Sequence, residues 1–341
     1  MSQVASALQI FEGATLPDFA RRSAIDWMVG GARRRLARNA PDSKAAFMRG
    51  MSDFNIAEHV NAANAQHYEL PAAFCQFILG PQMKYSCCYY DRGVDDLGAT
   101  EEQALRRIAE NADLDDGQSI LELGCGWGSL SLWMARKYPH ARITSVSNSA
   151  SQGRFINAQA RMAGLTNLDA ITADMNDFTP ETRFDRIVSV EMFEHMSNWR
   201  ELLARARIWL NPEGRLFIHV FSHRSEPYRF DMKDSSDWIA QHFFTGGIMP
   251  SHGLIRRFND IFEVEAEWRW NGTHYARTAR AWLANYDAHA DEIGKILRGV
   301  YGQDATLWGR RWRLFFLATE RLFGHAAGQE WGVSHYRLVP A

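Results

Sequence analysis

The stretch "ILELGCGWGSLSLWMARKY", Ile120 to Tyr138, passes from an apolar run through three alternating glycines into a segment that reads as a helix. Strand, glycine turn and helix in that order open a nucleotide-type binding unit of an α/β sheet. The glycines stand at Gly124, Gly126 and Gly128, and the next position is Ser129. A dinucleotide fingerprint places its third glycine at that next position, and a P-loop places a Lys-Ser/Thr pair after its last glycine. Neither is present. Dinucleotide sites also set an acid about 20 residues on, for the ribose hydroxyls. No Asp or Glu occurs from Ser129 to Leu168.

A G-x-G-x-G turn after a first strand suits S-adenosylmethionine instead. Glycines let the backbone approach the methionine and ribose closely, and the ligand has no phosphate for a helix dipole to hold. Asp174, in "ITADM" at the end of the third strand, is expected to accept the adenine amino proton while Met175 packs on the ring. Glu122 is expected to support the loop and the ligand's ammonium group.

Outward from the glycine turn, "ARITSVS", "LDAITAD", "FDRIVSVEMF" and "RLFIHVFS" read as strands. Between them "SQGRFINAQARMAGL" and "WRELLARARIWL" read as helices, the second closed by "NPEG". That alternation predicts a parallel sheet covered on both faces. "FEVEAEWRW" and "WGVSHYRLV" read as later strands that finish it. The division expected along the chain is a mainly helical lid over 1–100, a cofactor-binding core over 101–222, a substrate-cap insertion over 223–260, and helices and strands completing the sheet over 261–341. Both irregular regions are placed to lie over the carboxyl ends of the strands, where open α/β sheets bind ligands.

The net charge of −2 provides no footprint for nucleic acid. The first residues lack the basic start and long apolar run of a secretory signal, and no stretch approaches the 18 apolar residues of a transmembrane span. Cys75, Cys87, Cys88 and Cys125 lack metal-ligand spacing, and adjacent Cys87 and Cys88 do not make an unstrained disulfide. A reduced, cytoplasmic protein without a metal is expected, and a homodimer stays open. Twelve Trp and twenty Phe are enough to wall an apolar pocket as well as to fill a core. The walls are expected from the 223–260 segment and Trp268 to Trp270.

"EMFEHM" sets Glu191, Glu194 and His195 at the end of the fourth strand. An amine attacks a methyl group only when neutral, so a base must receive its proton, and carboxylates also attract the cationic form. Three such groups in one short turn at a sheet's carboxyl edge point to chemistry more than to a surface ion pair.

"LELGCGWGSL", "KYSCCYYD", "SNSASQ", "VEMFEHM" and "HYARTARAW" together resemble the cyclopropane-fatty-acid-synthase-type methyltransferases. "YELPAAF" and "EWGVSHY" extend the likeness to the coclaurine and pavine N-methyltransferases within that superfamily, over roughly Tyr68 to His335. The resemblance implies a Rossmann-like class I methyltransferase sheet with an N-terminal helical lid and an inserted substrate cap. It implies that Tyr85 and Ser86 contact the cofactor, and that the polar turn of Ser147, Asn148 and Gln152 replaces the missing ribose acid. For Ser149 and Ser151 a helix cap is an equally good reading. The resemblance assigns proton acceptance to Glu194 and His195, and Glu191 is then expected mainly to attract the cation. It also matches Cys87, Glu194, His219 and Tyr275 to a cage that holds a bicarbonate base in lipid-cyclopropanating relatives, while His223 matches the amine-methylating ones.

Two acceptor classes follow: a small-molecule amine with an aromatic or apolar body, or an unsaturated acyl lipid. The arginines at 21, 22, 33, 34, 35 and 38 support the lipid reading if they meet anionic headgroups. A solvated lid face explains them more simply.

Overall fold

The structure is a computed structural model and describes residues 12, 16–39, 42–58, 70–234 and 237–341. Tyr68 and Glu69, which begin one of the motifs above, lie outside the described residues.

Nine strands form, β1 (Ser119–Leu123), β2 (Arg142–Ser147), β3 (Leu168–Thr172), β4 (Phe184–Val190), β5 (Leu210–His223), β6 (Tyr228–Arg229), β7 (Ile248–Met249), β8 (Phe262–Asn271) and β9 (Trp331–Pro340), counted among the described residues. Seven make one sheet in the order β3-β2-β1-β4-β5-β9-β8, and β6 pairs with β7 apart from it. β1 to β5 are mutually parallel, whereas β9 runs antiparallel to both β5 and β8. Each strand expected from the sequence is present, and the parallel expectation holds for the first five.

β1 explains why central strands read as unbroken apolar runs. Its five residues are all buried. Ile120 joins one core, while Leu121 and Leu123 join the other. β5 divides likewise, with Phe217 and Phe221 on one face and Leu216, Ile218 and Val220 on the other. Successive side chains point to opposite faces, so a strand covered on both sides is buried at every position and mostly apolar, and its polar members, Glu122 in β1 and His219 and Ser222 in β5, need partners inside the protein.

The arginine-rich helix Asp18–Leu36 packs on the helix Ala305–Gly324. Arg22 pairs with Glu320, Arg313 with Asp18 (2.7 Å), Arg321 with Asp26 (2.6 Å) and Arg33 with Glu330 (2.6 Å). Arg21 is buried and donates to the Leu16 carbonyl (3.1 Å). Several of the arginines that the lipid reading needs are therefore engaged within the molecule. No helix among the described residues is long and apolar enough to cross a membrane.

Candidate active site

The strand order reverses between β1 and β4, and the carboxyl ends part there to leave a cavity of about 170 Å³. The amides of Gly124 and Cys125 both donate to the Val146 carbonyl (3.0 and 3.1 Å), which ties the glycine turn to β2. Gly124, Gly126 and Gly128 all have positive φ, at 81°, 50° and 82°. A Cβ on Gly124 would lie 2.6 Å from Met192 Cβ, and one on Gly128 would lie 2.6 Å from Ile156 Cγ1. A Cβ on Gly126 would meet nothing within 4 Å, because that glycine faces the cavity. The outer glycines permit close packing, and the middle one permits close approach by a ligand.

Every residue expected at the cofactor, from Tyr85 and Ser86 through Gly124, Gly126, Ser147, Asn148 and Gln152 to Asp174 and Met175, lines this cavity. Ser147 Oγ donates to Gln152 Oε1 (2.7 Å) and accepts from the Ser149 amide (3.0 Å). Ser149 caps the helix Ala150–Met162, so its cap reading holds. Glu122 is buried, with the Ser131 and Ser145 (2.8 Å) hydroxyls donating to Oε2. Burial pushes its pKa up to about 7 against the pull of those two hydrogen bonds.

The reacting end is organised around Glu191. Its amide donates to the His219 carbonyl (2.8 Å), continuing the pairing of β4 with β5. Its φ is +49°, a conformation costing a non-glycine residue on the order of 1–3 kcal/mol. The turn aims the carboxylate at two donors and one imidazole. Oε1 accepts from the Cys87 amide (2.9 Å) and lies 3.2 Å from His219 Nε2, while Tyr275 OH donates to Oε2 (2.6 Å). Burial raises the Glu191 pKa, and Lys84 and these donors restrain the rise. Glu194 is wholly buried, and neither of its oxygens makes a hydrogen bond of ordinary geometry. Burial, reinforced by the charge of Glu191, holds its pKa well above the usual carboxylate range. Of the two carboxylates Glu191 has the stronger set of donors, which favours its ionised form over that of Glu194. His195 faces the cavity and stacks on Phe244, with ring centroids 4.9 Å apart.

Of the residues expected to form a cage, Cys87, His219 and Tyr275 meet the Glu191 carboxylate, and Glu194 lies near that carboxylate without a hydrogen bond to it. Cys87 and His219 lie behind Glu191, and do not line the cavity. His223 lies elsewhere. Its Nδ1 accepts from the Glu226 amide (2.9 Å), and its Nε2 stands 3.6 Å from Glu330. The aromatic wall meets expectation in Phe244, from the 223–260 segment, and differs from it elsewhere. Phe221, Phe244, Tyr275, Trp282 and Phe315 line the cavity, whereas Trp268 and Trp270 do not. Alternation along β8 turns Trp270 onto the His335 ring (4.3 Å) behind the site. Trp282 was legible in principle: it follows Tyr275 by two helical turns on one helix.

Sequence reading also passed over Lys84, which is 1% exposed and donates to Ser86 Oγ and the Cys87 carbonyl (2.9 Å). Its segment is pinned by buried Glu101, which accepts from the amides of Gly80 (2.9 Å), Gln82 (2.8 Å) and Lys84 (3.2 Å). Glu101→Ala leaves those amides without their acceptor and is expected to destabilise the protein by on the order of 3 kcal/mol. Denaturant titration checks this, and a change below about 0.5 kcal/mol would contradict it.

A family model described as mycolic acid cyclopropane synthetase matches residues 57–328. The chain is 34% identical over 290 residues to (S)-coclaurine N-methyltransferase of Thalictrum flavum subsp. glaucum, covering 84% of this chain and 80% of that one. It is 32% identical over 244 residues to cyclopropane-fatty-acyl-phospholipid synthase of Escherichia coli (strain K12), covering 70% and 61%. A solved coclaurine N-methyltransferase bound to N-methylheliamine and SAH superposes with a TM-score of 0.93 at 30% identity, over 99% of both chains.

Proposed function

The chain belongs to the mycolic acid cyclopropane synthetase family and is an S-adenosylmethionine-dependent methyltransferase, and from that premise we propose that it methylates the nitrogen of a small amine with an aromatic or apolar body. The observation that carries this reading is the Glu191 carboxylate, clamped by Cys87, His219 and Tyr275 at the edge of an aromatic-walled cavity. A fixed anion beside aromatic rings attracts a protonated amine; once that amine has lost a proton to solvent its neutral nitrogen attacks, and the carboxylate accepts the proton that the methylated nitrogen then releases.

When bound, the cofactor would supply an electrophilic methyl group. The residues that hold it are those around the glycine turn, the Ser147–Gln152 turn and Asp174. Their fit rests on the neutral polar turn after β2 and on the open space in front of Gly126. Glu191 receives the proton released as the nitrogen–carbon bond forms. Glu194, held neutral, supports the turn without competing for that proton. His195, which lines the same cavity and stacks on Phe244, orients the amine. We place the reaction in the cytoplasm, where four thiols stay reduced.

The lipid reading retains the cage residues, but a carboxylate of the protein already meets three of them. The deciding experiment offers isoquinoline-type amines and unsaturated phospholipid vesicles side by side, with and without added bicarbonate, and detects methyl transfer by mass. Methylation of amines at a rate indifferent to bicarbonate is expected. Mass gain confined to phospholipid, or a requirement for bicarbonate, would overturn the reading.

The pH dependence has a definite sign. Glu191 must be ionised and the amine neutral, so activity falls as pH drops. The Glu191 contribution to that acid limb lies above the ordinary glutamate value of 4.5, because burial raises its pKa. A limb in kcat/KM at or below that value, with an amine of low basicity, would contradict this assignment.

A further inference from the structure

Behind Glu191 the sheet carries two histidines for which the reaction has found no joint use. His219 on β5 and His335 on β9 are direct cross-strand partners. Both are 0% exposed, and their ring centroids are 4.6 Å apart. Trp270 closes the pair off, lying 5.3 Å from the first ring and 4.3 Å from the second. His335 belongs to the "VSHY" run that the sequence resemblance singled out and the cavity did not absorb.

Hydrogen bonding around the pair is half complete. His219 Nε2 lies 3.2 Å from Glu191 Oε1, and its Nδ1 has no partner. His335 Nδ1 lies 2.9 Å from Asn111 Nδ2, and its Nε2 has no partner. A buried nitrogen without a partner is costly, and here two occur on adjacent rings. Lys84 joins the same network through Cys87, whose carbonyl it meets (2.9 Å) and whose amide donates to Glu191 (2.9 Å). Its charge acts on each ring, and two of its three protons are used on Ser86 Oγ and the Cys87 carbonyl. A buried water needs two to four polar partners, and these groups provide three.

We propose that a single water held by Lys84, His219 and His335 locks His219 in the tautomer protonated at Nε2, making Lys84 and His335 positioning residues for Glu191. The protons match throughout. The Asn111 amide donates to His335 Nδ1, so His335 carries its proton on Nε2. That N–H and the third Lys84 proton both go to the water oxygen. The water donates in turn to His219 Nδ1, and His219 must then carry its own proton on Nε2, facing the Glu191 carboxylate. The opposite tautomer would set a bare nitrogen lone pair against that carboxylate. Orientation of one imidazole by a partner on its far nitrogen is the general means by which proteins choose a tautomer.

The catalytic consequence rests on the reading of Glu191 as proton acceptor, but the tautomer does not. The test is the long-range proton–nitrogen spectrum of protein labelled with nitrogen-15 histidine, which separates the two neutral tautomers. In the unaltered protein His219 is expected as Nε2–H, and an Nδ1–H signature there overturns the proposal outright. In His335→Phe the Nε2–H signature should give way to a mixture, with turnover down about tenfold, the worth of one hydrogen bond to a charged group. His335→Gln, which can still offer an N–H, should restore both. Should the phenylalanine variant fail to fold, Lys84→Met removes another donor to the same water and should likewise lose the pure tautomer. An unchanged Nε2–H signature in the substituted proteins overturns the proposal. If Glu191→Gln left turnover intact, only the acceptor reading would fail, because the tautomer is read without any reaction.

Discussion

Glu191→Gln is expected to lower kcat by about 10²–10⁴, the usual worth of a positioned general base, while the affinity for S-adenosylmethionine stays within about threefold. The amide has nearly the shape of the carboxylate and removes its charge, so the cavity remains and the proton acceptor is lost. It also presents an N–H2 group to donors that the carboxylate accepted from: the Cys87 amide, His219 Nε2 and Tyr275 OH. Glu194→Gln is the informative control. A side chain already neutral exchanges one uncharged group for another, and kcat should change by less than about tenfold if it carries no proton in the reaction. Single-turnover methyl transfer beside calorimetric cofactor binding separates these outcomes. The assignment of the two carboxylates is reversed if Glu194→Gln is the crippling change and Glu191→Gln the mild one.

Gly126→Val is expected to weaken S-adenosylmethionine binding by more than about 100-fold, because two penalties fall on one position. The backbone there has φ of +50°, which strains a β-branched residue by on the order of 1–3 kcal/mol. Its side chain would project where no protein atom lies within 4 Å, which is the space the cofactor needs. The fold should survive, because that space is empty of protein. Gly126→Ala separates the penalties, keeping the strain and adding only a methyl group. Calorimetry measures the affinity and thermal unfolding monitors the fold. Binding of the valine variant within threefold of the unaltered protein would show that the ligand does not pass this glycine.

How far the site could be read from the sequence depended on where its residues stood. The glycine turn, the Ser147–Gln152 turn, Asp174 and the Glu191–His195 run all sit at carboxyl ends of strands whose periodicity is plain, so their convergence on one cavity was legible. The division of roles that we propose for Glu191 and Glu194 was not. It hangs on one positive φ and on the short 3-10 turn Phe193–His195, and neither leaves a mark in residue types. Lys84 was missed because a lysine is ordinarily a surface residue, and its burial depends on acceptors within its own loop. The tryptophans of β8 were assigned to the pocket for their size, but strand alternation decided their direction. Of the arginine-rich helix the sequence shows charge alone, since its partners Glu320 and Glu330 are distant in the chain.

The position of β9 between β5 and β8 bears on how the molecule comes to be folded. The glycine turn, β1, β2 and β3 are near neighbours in sequence, so the cofactor half can close over short loops. The Glu191 half is completed only when β9 enters the sheet beside β5, across all the chain that lies between them. Closure over such a separation comes late and slowly, because its loop entropy is lost before any contact rewards it. During that interval the open edge of β5 is available for pairing with another chain. A folding intermediate with its first five strands in place would therefore hold the methyl donor while lacking the His335 support behind Glu191. Competence to bind would precede competence to react, and the slow entry of one strand would set the time between them.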